Sequence, residues 1–234
     1  MKQLTIGLLL TLVGLPASAW GQDVAAKGQV TAGAHELDMK AGHIYLIKVD
    51  AKGFVPNVAM TPARLPFIGQ DFNKPNVFQS HYMPSKDEKN TILIVPVIFD
   101  LKGKGPFEYE IEVKSAALAA KPILDVKGEL TKEDPAFKAE FTNRAHHKSF
   151  ELKVKANQFY VIDMRTPEKS DLDDYLYLLD STGKIVMSDD DSGGFPHARI
   201  VFRAPKDGDY RIIATGLGDA LGRFDLTVRT TEAK

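Results

Sequence analysis

"FELKVKANQFYVIDM" (Phe150–Met164) carries the pattern on which the fold turns. Phe150, Leu152 and Val154 interleave with Glu151, Lys153 and Lys155. Successive side chains of an extended chain point to opposite faces, so this period of two marks a strand with one buried and one wet face. The same alternation recurs at Tyr109, Ile111 and Val113, set between Glu110, Glu112 and Lys114, and at Phe224, Leu226 and Val228, set between Asp225, Thr227 and Arg229. Glycine-bearing turn signals stand between the strands, at Ala51-Lys52-Gly53, Lys102–Gly105, Ser181-Thr182-Gly183 and Lys206-Asp207-Gly208. Helical periodicity is weak, and its best stretch, "SAALAAK" (Ser115–Lys121), reads as a linker. The chain is expected to be all-β, built of antiparallel β-sandwiches.

The opening stretch also has a partner. "VKANQFYVIDM" (Val154–Met164) aligns with "MKAGHIYLIKV" (Met39–Val49), sharing Lys, Ala, Tyr and Ile at matching places. "FDLTVRT" (Phe224–Thr230) aligns with "YEIEVKS" (Tyr109–Ser115) at the same spacing. "KGELT" (Lys127–Thr131) resembles "KGQVT" (Lys27–Thr31) at a smaller spacing, which implies an insertion in the second copy. Three matches in one order point to a duplicated domain. The expected layout is a divergent β-sandwich over residues 24–115, a linker over 116–122, and a second jelly-roll-like sandwich over 123–230.

Bulk properties limit the function classes. The chain has 234 residues, 44% hydrophobic and 26% charged, with a formal net charge of −1. Length allows one large all-β domain or two domains of about 100 residues each. Near-neutrality gives no basic field for nucleic acid. Lys2, the apolar run Leu4–Leu15 and the small-x-small triplet Ala17-Ser18-Ala19 read as a secretory signal peptide, residues 1–19, cut near Ala19. The run is shorter than the roughly 20 residues that span a bilayer. With no cysteine there is no disulfide, thiolate metal site or Cys-linked lipid. Export without cysteine suits a bacterial protein that is periplasmic or secreted, with no membrane span in the mature chain.

Within the second half the pieces follow a distinctive order. Asp171, Asp173 and Asp174 precede the "YLYL" strand Tyr175–Leu178, and a turn follows at Asp180–Gly183. Then come Asp189–Asp191, Phe202–Pro205, Gly208-Asp209-Tyr210 and the closing Phe224–Val228. Over about Val126–Arg229 this set resembles the bacterial pre-peptidase C-terminal domain, a β-sandwich of jelly-roll type found on secreted proteins. The first half keeps Gly28, "YLIKV" and "YEIEV" but lacks the paired aspartates and the G-x-Y element. The resemblance implies a non-catalytic module that aids secretion, keeps a peptidase partner soluble, or binds substrate or a cell-surface polymer.

The acids invite a metal. Calcium takes six to eight oxygen ligands, and Asp171, Asp173, Asp174, Asp189, Asp190 and Asp191 lie on loops that could meet at one end of a sandwich. They are the candidate calcium ligands. The EF-hand template fails, because its fifth and final places, counted from Asp189, fall on Gly193 and Ile200. Against calcium, aspartates also cap turns by accepting bonds from nearby backbone N–H groups. A glycosidase needs one of two carboxyls with a raised pKa across a cleft, which adjacent exposed aspartates do not offer. The six histidines, including His146-His147 before a strand, form no H-E-x-x-H motif. No G-x-S-x-G, Walker or Rossmann glycine pattern occurs. Aromatics in Phe54–Tyr82 (Phe54, Phe67, Phe72, Phe78 and Tyr82) could form a binding face, though most phenylalanines, Phe137, Phe141 and Phe195 among them, are expected in the core.

The expected function is therefore an exported, non-catalytic binding or accessory protein that presents sandwich-end loops to a protein or extracellular polysaccharide. It needs no cofactor, calcium apart. A calcium-dependent carbohydrate-binding module is the alternative, and a hydrolase the remote one.

Overall fold

A computed structural model describes residues 24–30, 33–61, 76–97, 107–138, 143–168 and 170–231. The expected signal peptide, the Lys102–Gly105 turn, and Phe67, Phe72 and Phe141 lie outside the described residues. The chain divides into two compact units, 1–117 and 118–234. All the described regular structure is antiparallel β, as the alternation predicts.

The first unit runs β1 (Val24–Val30), β2 (Gly33–Met39), β3 (His43–Lys52), β4 (Val55–Thr61), β5 (Val77–Tyr82), β6 (Glu88–Val97) and β7 (Phe107–Ala117). One sheet has the order β1-β7-β3-β5 and the other β2-β6-β4. Its core takes Tyr45, Ile47, Val49, Tyr109, Ile111 and Val113 from the first sheet, and Leu37, Met39, Val58, Met60, Ile92 and Ile94 from the second. Alternate residues of facing sheets thus form one sandwich interior. Phe54 belongs to that core, and Phe78 and Tyr82 pack against it.

The second unit runs β8 (Leu124–Leu130), β9 (Ala136–Lys138), β10 (Asn143–Val154), β11 (Phe159–Arg165), β12 (Asp174–Leu179), β13 (Ile185–Asp189), β14 (Arg199–Arg203), β15 (Gly208–Gly216) and β16 (Gly222–Thr230). Read from β8, one sheet is β8-β16-β11-β14 and the other β9-β10-β15-β12-β13. Removal of β9 and β13 leaves the connectivity of the first unit, strand for strand. The additions account for the longer second copy, and β9 lies where the shifted "KGELT" match called for an insertion. Its Phe137 covers Tyr177, with ring centroids 5.2 Å apart, on the face of β12 away from the main core. "DYLYLL" is consequently buried on both sides and reads as an apolar run rather than an alternation.

A shared corner explains the repeated Lys, Ala and Tyr. In the second unit the Lys155 N–H donates to Tyr160 Oη at 2.8 Å, and the Ala156 N–H to Asp207 Oδ1 at 2.7 Å. Lys155 Nζ donates to the other oxygen of Asp207 at 3.0 Å. In the first unit Lys40, Ala41, Tyr45 and Asp87 repeat these bonds at 2.7, 2.9 and 2.9 Å. The next residue in each corner is left-handed, Gly42 at φ 73° and Asn157 at φ 65°. Those are the residue types that bear that conformation most readily.

Two local expectations change. Ser115–Ala117 are strand rather than linker, because Ser115 and Ala116 are buried and pair with Tyr45 and Ile44 of β3. His146 and His147 lie inside β10 rather than before it. There the β9 turn bonds them, His146 Nδ1 to the Asp134 carbonyl and His147 Nδ1 to that of Pro135, both at 2.7 Å.

Candidate functional site

The six candidate acids take different places. Asp174 opens β12 and is fully buried. Its Oδ2 accepts from the Thr166 N–H and Oγ1, both at 3.0 Å, and meets His197 Nδ1 at 3.2 Å. Its Oδ1 accepts from the Ala198 N–H. Burial pushes its carboxyl up against the opposing pull of these bonds. Asp189 closes β13, and its Oδ1 accepts from the Ser192 N–H at 2.9 Å and the Arg199 N–H at 2.8 Å. Burial raises this carboxyl too. Arg199 in turn reaches Asp163 through Nε at 2.6 Å, a buried pair.

Asp173, Asp190 and Asp191 stand differently. Desolvation and then the charges of Asp190 and Asp173 raise the Asp191 carboxyl, which thus stands near acids of two loops. Asp171 is exposed. Among the described residues no group of three His, Cys, Asp or Glu side chains is arranged to hold a metal ion. Asp180 caps the hairpin turn, accepting from the N–H groups of Thr182 at 2.9 Å and Lys184 at 3.1 Å.

The carboxylates of Asp174 and Asp189 fasten one loop, residues 190–198. Within it the Gly193 N–H donates to the His197 carbonyl at 2.8 Å, the Gly194 N–H to Asp191 at 2.9 Å, and the His197 N–H to Gly194 at 3.0 Å. A Cβ at Gly193 would stand 2.6 Å from the His197 carbonyl oxygen, so only glycine closes the loop this tightly. The Phe195–Pro196 peptide is cis. Phe195 is 83% exposed at the tip, contrary to its expected place in the core. His197 and Thr166 escaped the sequence reading, since neither sits in a motif. Nearness to the Asp174 carboxylate, from 23 and 8 positions away, exists only in the fold.

In the first unit a cleft of about 600 Å³ opens beside the Lys40 corner, lined by residues of β2, β3, β6 and β7 that include Asp38, His43, Glu88 and Ser115. Glu88 Oε1 accepts from Tyr82 Oη at 2.6 Å and from Asn90 Nδ2 at 2.9 Å.

No family model and no curated protein matches the chain. Among solved structures it is similar to a chain of "Crystal structure of plant peptide RALF23 in complex with FER and LLG2". The identity is 8% over 92% of this chain and 89% of that one, with a TM-score of 0.28. A likeness of that size says nothing about function. Among the described residues no helix is long and apolar enough to cross a membrane.

Proposed function

We propose that this is an exported bacterial binding protein, periplasmic or secreted and without catalysis, which presents a sandwich-end loop to a protein or extracellular polysaccharide. Lys2, Leu4–Leu15 and Ala17–Ala19 support export. The ordered pieces from Asp171 to Val228 support a second unit of the pre-peptidase C-terminal type. The observation that carries binding is Phe195. Single exposed apolar residues are common on surfaces. This one stands on a loop tied down by Asp174, Asp189 and three internal backbone bonds. An aromatic anchor on a pre-ordered loop loses little entropy when it is covered, which favours recognition.

Pull-down of the mature protein with insoluble cell-wall polysaccharides, and with extracellular proteins, tests this reading. Phe195→Ala is expected to weaken the captured interaction at least tenfold without lowering the melting temperature. Undiminished capture would refute the role of the loop.

The closeness of Asp190 and Asp173, from two loops, to the Asp191 carboxyl favours a second reading, a calcium-dependent carbohydrate-binding module. Calcium bound only to the native state raises the melting temperature. A calcium titration that leaves it unchanged disposes of this reading.

A further inference from the structure

Beside the Lys40 corner the first sandwich carries polar residues at strand positions that face its interior. Ile92 and Ile94 of β6 and Ile111 and Val113 of β7 belong to the core. Continued by twos, the β6 row reaches Asn90 and then Glu88, and the β7 row reaches Ser115. The period thus brings a carboxylate and a hydroxyl to the mouth of the sandwich, and both line the cleft of about 600 Å³.

Ser115 is the decisive residue. It is 2% exposed, and none of the described residues bonds its hydroxyl. No side-chain oxygen or nitrogen among the described residues is sealed from solvent without a partner, so Ser115 Oγ opens onto the cleft that it lines. A buried hydroxyl is costly unless it is bonded, and a ligand in the cleft would bond it. Two further acceptors stand beside it. Glu88 Oε1 takes bonds from Tyr82 Oη at 2.6 Å and Asn90 Nδ2 at 2.9 Å, which hold the carboxylate in place and leave Oε2 available. His43 Nδ1 bonds the Ala41 carbonyl at 3.2 Å, so the neutral ring presents Nε2 as an acceptor.

Charge selects the ligand. Among the lining residues three carboxylates, Asp38, Asp87 and Glu88, stand against two ammonium groups, Lys40 and Lys89. Lys40 is paired to Asp87 at 2.9 Å and Lys89 to Glu36 at 2.6 Å. Asp38 and Glu88 belong to no ion pair among the described residues, so the cleft has a surplus of negative charge and draws a cation. No group of three acids or histidines among the described residues is arranged for a metal ion, which makes an organic cation the better fit. A quaternary ammonium has no N–H to offer Ser115, and a planar guanidinium suits one bidentate carboxylate better than single acceptors on β3, β6 and β7. A primary ammonium has three donors spread in space, one each for His43, Glu88 and Ser115. We propose that the cleft is a binding site for a small organic ligand that bears a primary ammonium group, carried on an amino sugar or an aliphatic amine. Its volume lies within the usual span of small-ligand sites.

The site lies in the first unit and does not rest on the role of Phe195. Calorimetric titration of the mature, full-length protein with glucosamine tetramer and with spermidine provides the test, and the N-acetylated tetramer is the uncharged comparison. At least one amine is expected to bind, at least tenfold more tightly than the N-acetylated tetramer, and to weaken as salt is raised. Binding of the tetramer alone assigns the ammonium to a sugar, and binding of spermidine alone assigns it to a free amine. Glu88→Gln keeps an acceptor for Tyr82 and Asn90 but removes the charge, and Ser115→Ala removes only the hydroxyl. Each is expected to weaken binding at least tenfold at an unchanged melting temperature, and Ser115→Ala reports even if Glu88→Gln disturbs the fold. Silence from both amines, equal binding of the N-acetylated tetramer, or binding that survives both substitutions overturns the site. Loss of amine binding in Phe195→Ala places the ligand on that loop and overturns it too. Failure of capture by the Phe195 loop leaves this inference standing, and failure of the amines leaves the loop reading standing.

Discussion

Replacement of Asp174 by alanine strands the donors that converge on its carboxylate. The Ala198 N–H loses its acceptor outright, and the Thr166 N–H is left facing His197 Nδ1 at 3.4 Å. The Thr166 hydroxyl keeps the Leu172 carbonyl at 2.8 Å and suffers least. A buried donor left unpaired costs about 1–3 kcal/mol, so two of them cost about 3 kcal/mol together. In a unit of this size that corresponds to roughly 12–24 °C in melting temperature. Calorimetry and urea unfolding of the whole chain are the assays. Asp174→Asn keeps one acceptor for Ala198 but turns an N–H₂ toward Thr166, so its loss is expected to fall between wild type and alanine. Asp173→Ala is the internal comparison, because Asp173 stands one residue away and the bond it receives, from the Leu217 N–H to its carbonyl at 2.8 Å, is a backbone bond that the substitution keeps. A loss below about 1 kcal/mol for Asp174→Ala, or an equal loss for Asp173→Ala, would refute the assignment of Asp174 as the anchor of the loop.

Three further outcomes follow from the geometry. Gly128 faces the Phe224 ring, and a Cβ there would run into Cζ, so Gly128→Ala is expected to cost about 1–3 kcal/mol in urea unfolding. Phe224→Leu in the same chain should recover part of that loss, and failure to do so would locate the strain elsewhere. Tyr45→Phe and Tyr160→Phe each remove the acceptor of a corner N–H, and each is expected to cost about 1 kcal/mol. A silent variant in one unit would break the equivalence of the two corners. The pH dependence has a definite sign. Burial raises Asp174 and Asp189 above the ordinary value of 3.8, so the folded state holds their protons longer than the unfolded one, and stability falls as pH climbs from 3.8 through their raised values. Asp87 and Asp207 are lowered, first by the N–H groups of Ala41 and Ala156, so their contribution is present above 3.8 and is lost as pH falls below it. Urea midpoints measured against pH should decline less steeply on the alkaline side of 3.8 for Asp174→Asn than for wild type, and equal slopes would contradict the raised carboxyl.

Much of the architecture was legible because alternation reports directly on a half-buried strand. Phe150, Leu152 and Val154 show it, and the hairpin from Tyr175 to Met187 forms around the Asp180–Gly183 turn as its residues suggest. The aligned Lys-Ala and Tyr were visible as a repeat, but their cause, a corner closed by Asp87 or Asp207, was not. A signal for it existed, since a Lys-Asp pair precedes β6 and β15 alike at Lys86-Asp87 and Lys206-Asp207. Ser115–Ala117 deceived because small residues favour no one state, and pairing with β3 decides them.

The candidate site was less legible. Asp171, Asp173, Asp174, Asp189, Asp190 and Asp191 are one residue type in one short span, and sequence gives them one status. Burial separates them, because a carboxylate taken from water must find donors, and the fold brings Thr166, His197 and Ala198 to Asp174 but not to Asp171. The cleft beside Glu88 could not be read at all, since residues of β2, β3, β6 and β7 meet there only in the fold. The sequence by itself determined the strands, their duplication and the absence of disulfides, all of which rest on local periodicity and composition. Only the tertiary structure decided which acids are anchors and that Phe195 faces solvent. Those properties depend on neighbours far away along the chain, and burial and hydrogen-bond satisfaction are set by neighbours.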